Sequence, residues 1–148
     1  MQPYLSHTLV ALSALTALAA PHVVAAQGYG PTPRVVSVSS TGSGNAEETI
    51  TSGQSQTSLD HAGPSLKVTA WFPAGYTSGA QVVFNSDTFS GLMRQESSTI
   101  VRSGSRILGW VQRYSCYFGY ASGTCLVQTE RRTHLRTRHV GWHSVQIR

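Results

Sequence analysis

Cysteine is scarce in this chain: Cys116 and Cys125 are the only two in 148 residues. A single pair cannot build a four-thiolate zinc site. Lysine is scarcer still, since Lys67 is the one lysine among eleven basic residues, and only six acidic residues are present. Neither Asn45 nor Asn85 begins an Asn-x-Ser/Thr sequon, so N-linked glycosylation is not expected. The chain has no Gly-x-Ser-x-Gly elbow, no phosphate-cradling Gly-Lys-Ser/Thr loop and no His-Glu-x-x-His, which removes the motif-defined hydrolases, nucleotide-binding loops and zincins. Beyond residue 26 there is no long apolar run, and no window of eleven or more residues carries a helical stripe. No cofactor and no metal are expected.

The one long apolar run is at the start. Thr8 to Ala20 is apolar, Pro21 breaks it, and Val24-Ala25-Ala26 offers small residues where a signal peptidase reads them. The segment preceding the run has His7 but no Lys or Arg. Residues 1–26 are expected to be a cleaved signal peptide, and the protein to be secreted and extracellular without stable membrane insertion.

The remainder of the chain reads as β structure. Residues 27–63 are expected to be a flexible, Ser/Gly/Thr-rich region, because it has little to bury, with a possible first strand at Val35 to Ser39 and a weak one at Thr49 to Thr51. The folded body, residues 64–148, is expected to begin with the alternating run Leu66 to Phe72, in which Leu66, Val68, Ala70 and Phe72 share a face. Further short strands are expected at Gln81–Phe84, Leu92–Gln95, Thr99–Val101 and Val140–Ile147. Short strands at this spacing predict an all-β fold, a small antiparallel β-sandwich or barrel.

Arg106 to Glu130 holds both cysteines and the densest aromatic cluster, with Trp110, Tyr114, Tyr117, Phe118 and Tyr120. Two β-prone runs flank the Gly-containing turn Tyr-Ala-Ser-Gly, which predicts a hairpin with Cys116 and Cys125 facing each other. In an oxidising compartment such a pair forms a disulfide.

Charge divides the chain. Gln27 to Ser90 sets Arg34 and Lys67 against Glu47, Glu48, Asp60 and Asp87, whereas Gly91 to Arg148 sets nine arginines against Glu96 and Glu130. Guanidinium groups pair bidentately with phosphate and carboxylate and stack on aromatics. The expected contact residues are therefore Arg113, Arg131, Arg132, Arg136 and Arg138 with Trp110 and Trp142. The expected partner is an anionic macromolecule: a polysaccharide, a nucleic acid or a host protein.

The leading functional expectation is a small non-catalytic binding protein, effector-like or an extracellular interaction protein. One alternative is a carbohydrate-binding module using Trp71, Trp110 and Trp142. Another is a secreted ribonuclease-like hydrolase, with Glu96 or Glu130, one of His134, His139 and His143, and Arg113 or Arg131 as acid, base and anion-binding group. His139 and His143 would share a metal only on a helix, and Val140 and Gly141 argue for a strand, where they lie ~13 Å apart.

Overall fold

The computed structural model describes residues 29–76, 78–132 and 138–148. The expected signal peptide and Arg136 lie outside them, as does His134. Among the described residues nine strands are formed: β1 (Arg34–Ser40), β2 (Glu48–Thr49), β3 (Leu66–Pro73), β4 (Ser78–Ser86), β5 (Ser90–Leu92), β6 (Arg94–Ser103), β7 (Arg106–Cys116), β8 (Gly123–Arg132) and β9 (Arg138–Ile147). Among the described residues there is no helix, so the all-β expectation is borne out.

The strands make two antiparallel sheets, a five-stranded one in the order β2-β1-β3-β7-β6 and a four-stranded one in the order β5-β4-β8-β9. One apolar core joins them. The five-stranded sheet contributes Val35, Val38, Leu66, Val68, Ala70 and Phe72; the four-stranded sheet contributes Val82, Phe84, Cys125, Val127, Val145 and Ile147. The alternation of β3 thus buries the face that its sequence pattern selects.

Two of the sheet rims are short, at β2 and β5. A third, β9, is covered in part by the loop before β3: Thr57 N–H donates to Gln146 O at 2.9 Å, and Gln146 N–H donates to Ser55 O at 2.8 Å. Further along β9, His143 Nδ1 accepts from Val35 N–H at 3.2 Å and bridges to β1. The fourth rim, β6, is solvent-exposed along nearly its whole length, and its pairing with β7 is interrupted by irregularities at Gln95/Ser97 and Val101/Arg102.

Within residues 34–63, expected to be mostly flexible, β1 contains the expected strand at Val35 to Ser39 and β2 overlaps the weak one at Thr49, but the loop that follows is packed and buries Ile50, Thr57 and His61. Its buried groups are largely polar, which hydropathy patterning does not detect.

The expected hairpin between Arg106 and Glu130 is not formed. β7 pairs with β3 and β6, β8 pairs with β4 and β9, and residues 117–122 carry the chain from one sheet to the other. The expected disulfide is corrected with it. Cys116 and Cys125 are both free and buried. Cys116 sits opposite Leu66 in one sheet and Cys125 opposite Phe84 and Val145 in the other. Facing sheets stand about 10 Å apart, beyond the usual Cα spacing of a disulfide. Burial pushes both thiols above their ordinary pKa, so neither is a ready thiolate. An aromatic disulfide reagent added at neutral pH is expected to leave the native protein unlabelled over minutes and to modify two thiols after denaturation. Rapid labelling of the native protein would contradict this burial.

Candidate functional site

Strand direction gathers the arginines. β3 leaves its sheet at Pro73, which pairs with Gly109, and β4 enters the other sheet at Ser78, which pairs with Glu130. The β6–β7 turn, at Gly104 and Ser105, and the ends of β8 and β9, at Arg132 and Arg138, therefore lie at the same end of the molecule. Arg34 opens β1 at that end, opposite Trp71. Arg34, Arg102, Arg106, Arg131, Arg132 and Arg138, six of the eleven basic residues, are thus brought to one end by backbone placement alone. Among the described residues, Glu130 is the only acidic one whose backbone lies there. Glu47 and Glu48 stand at the start of β2, where Glu48 pairs with Val38, Asp60 lies in the loop before β3, and Asp87 follows β4, all away from that end. The two ends of the strands thus differ in charge, and the field at the arginine end favours anions.

Beside Arg106 is a groove of about 390 Å³, lined by Tyr29, Pro31, Trp71, Pro73, Tyr76 and Leu108. Its floor is built by a close approach. Trp71 points out of the core yet is only 2 % exposed. Gly109, which has no side chain, lets the indole lie across β7; a Cβ there would run into the Trp71 ring and Phe72 O. Tyr29 stacks on the indole with ring centroids 4.4 Å apart and planes at 22°, and Trp71 Nε1–H donates to Gly30 O at 3.0 Å. Burial raises the Tyr29 pKa, with nearby Arg34 opposing. Arg34 Nε is buried and has no hydrogen-bond partner among the described residues. Arg102 and Arg106 are exposed and enter no ion pair among the described residues. The groove thus presents aromatic faces together with the guanidinium of Arg106, which enters no ion pair among the described residues.

The residues expected from sequence divide between places. Arg131, Arg132 and Arg138 have their backbones at this end. Arg113 is exposed near the middle of β7, on the outward face of the five-stranded sheet. The tryptophans form no common platform. Trp71 is covered by Tyr29, Trp110 is half-buried opposite Phe72, and Trp142 stands 65 % exposed on the outward face of the other sheet. Tyr29, Arg34, Tyr76, Arg102 and Arg106 carry no signal in the sequence that marks them for a site. They are far apart in the chain, and only topology unites them.

Of the expected hydrolase grouping, Arg131 pairs with His139 across β8 and β9 next to Glu130, and His134 lies outside the described residues, but Glu96 and His143 are not brought together. Glu96 lies on β6 and accepts a hydrogen bond from Ser115 Oγ at 2.6 Å, whereas His143 lies on β9 and spends Nδ1 on Val35 N–H. His139 and His143 do sit on a strand, β9.

A different Ser–His–Glu set does exist. His61 Nε2 faces Glu48 Oε2 at 3.2 Å, and His61 Nδ1 faces Ser40 Oγ at 3.3 Å. It cannot work as a nucleophilic triad, because Ser40 is 1 % and His61 0 % exposed, so no substrate reaches the hydroxyl. Its chemistry is fastening. Glu48 Oε1 accepts from Ser58 N–H at 2.7 Å and Gln54 Nε2 at 2.8 Å, and Glu48 Oε2 also accepts from Leu59 N–H at 2.9 Å. Burial alone would raise the Glu48 pKa, but these donors and His61 outweigh it and bring the carboxyl down to about 2.

A protein-family model described as a domain of unknown function (DUF4879) matches residues 32–138. That stretch runs from just before β1 to the first residue of β9. No curated protein and no solved structure matches the chain.

Proposed function

We propose that this chain, which belongs to the DUF4879 family, is an exported non-catalytic binding protein whose arginine end takes a polyanion. One observation carries the reading: three separate chain segments bring six arginines to one end, beside an aromatic groove, with Glu130 as the only acid there among the described residues. Arginine forks match phosphate, sulfate and carboxylate geometry, and Tyr29 and Tyr76 offer faces on which a base or sugar ring can stack.

Binding of heparin and of a single-stranded RNA across a salt series tests this. The expected result is a linear fall of log affinity with log salt. In Arg102→Ala/Arg106→Ala/Arg131→Ala/Arg132→Ala the slope should shrink by about one for each contact removed. Arg148→Ala, at the other end of the molecule, should change little. Which polymer binds more tightly at equal charge separates a saccharide partner from a nucleic acid. Salt-insensitive retention, or equal retention of the fourfold variant, rejects the reading.

A further inference from the structure

The outward face of the five-stranded sheet carries a second concavity, of about 450 Å³, away from the arginine end. Its floor is set by register. Ser37 pairs with Thr69 and Ser39 with Lys67; Thr69 pairs in turn with Arg113 and Lys67 with Ser115. These six side chains therefore share one face of three adjacent strands, with Ser97 of β6 beside Arg113. Lys67 and Arg113 are diagonal neighbours, roughly 7–8 Å apart at the backbone by ordinary sheet geometry. Two like charges at that spacing repel, and neither enters an ion pair among the described residues.

The two carboxylates nearest them stand at the margins and are held by hydroxyls. Ser37 Oγ donates to Glu47 Oε1 at 2.5 Å on one side, and Ser115 Oγ donates to Glu96 Oε1 at 2.6 Å on the other. Glu96 also has a loose, exposed contact with Arg94 at 3.7 Å. Each carboxylate keeps acceptor capacity for a further donor. Tyr117, 63 % exposed, completes the margin with an aromatic face.

We infer that this cleft binds a sugar carrying one carboxylate, of the hexuronate class. The sugar carboxylate lies over Lys67 and Arg113 and offsets their mutual repulsion. Ring hydroxyls donate to Glu47 and Glu96 and accept from Ser39 and Thr69, whose hydroxyl protons are not spent on either carboxylate. The apolar face of the ring rests on Tyr117. A polyanion fits less well, because Glu47 and Glu96 flank the cation pair. A neutral sugar leaves the pair uncompensated. The volume falls within the range of small-molecule sites.

The test is a ligand-observed NMR titration with galacturonate, its methyl ester and inorganic sulfate. The expected result is saturable binding of the acid, with the ester and sulfate at least tenfold weaker. Lys67→Gln and Arg113→Gln should each weaken the acid by roughly tenfold or more, as for loss of a charge-assisted hydrogen bond. Tyr117→Ala should also weaken it. Lys67, Arg113 and Tyr117 are all exposed, and thermal melting of each variant separates lost binding from lost folding. Equal binding of ester and acid, no binding at millimolar concentration, or unchanged affinity in both charge variants overturns the inference. Arg102→Ala/Arg106→Ala should bind galacturonate as the parent does; loss there, with Lys67→Gln unaffected, would place the acid at the arginine end instead and also overturns it. The cleft and the arginine end therefore stand or fall separately.

Discussion

Glu48→Gln is expected to lower the unfolding free energy by about 2–3 kcal/mol at neutral pH and the melting temperature by about 10 °C. The substitution preserves shape but turns one acceptor oxygen into a donor. Whichever side receives the amide NH₂ then faces other donors: Ser58 N–H and Gln54 Nε2 on one, Leu59 N–H and His61 Nε2 on the other. The loss reaches beyond one loop, because His61 N–H also donates to Arg148 O and Tyr120 Oη donates to His61 O at 2.5 Å. The sign of the pH dependence follows from the lowered pKa. Glu48 titrates at about 2 in the folded chain and near its ordinary 4.5 when unfolded. Its stabilisation is complete above 4.5 and disappears as pH falls toward 2. His143 acts in the same direction at higher pH. Burial, and then Arg34, lower its pKa below 6.5, so its contribution is full above 6.5 and declines as pH drops from there. Melting curves from pH 8 to pH 2 should show both declines in the parent and only the upper one in Glu48→Gln. Parallel curves with equal melting temperatures would show that Glu48 fastens nothing.

Gly109→Ala is expected to cost about 2–3 kcal/mol, as an overpacked core position does. The added methyl collides with Phe72 O, which is backbone, and with the Trp71 indole, which is pinned under Tyr29. The indole must therefore leave its stack or β7 must part from β3. Either change should alter the near-ultraviolet circular dichroism of the aromatic groove. Gly119→Ala is the comparison, because nothing stands within 4 Å of a Cβ there, and it should fall within about 0.5 kcal/mol of the parent. Equal denaturant midpoints for the two variants would refute the crowding at Gly109.

The strands that bury one apolar face are legible in the sequence. Leu66 to Phe72 alternates, and β3 follows that alternation residue by residue. Val35 to Ser39 and Val140 to Ile147 fall within β1 and β9 for the same reason. β6 is visible only in fragments, as Thr99 to Val101 and as Arg94 and Gln95 at the end of the expected Leu92–Gln95 strand. It lies at a rim, exposed on both sides, so no alternation marks its other residues. The loop fastened by Glu48 and His61 carries no signal because its buried contacts are polar. The turn residues after Cys116 are recognisable, but Gly and Ser serve a passage between sheets as well as a hairpin, and sequence does not say which. For the arginine end, composition flags the C-terminal half, including Arg131, Arg132 and Arg138. It does not flag Arg34, nor does it single out Arg102 and Arg106 within that half, because their shared position depends on strand order.

The unequal treatment of the four sheet rims bears on how the protein behaves when crowded. Three are short, covered or bridged, which leaves β6 as the natural seam for a second extended chain. There, the two interruptions in its ladder and the charges of Arg94, Glu96 and Arg102 resist zipper-like growth. Keeping concentrated solutions clear of fibrils is thus a task assigned to the 10 residues of that strand, and straightening it would put shelf life, rather than folding, at risk.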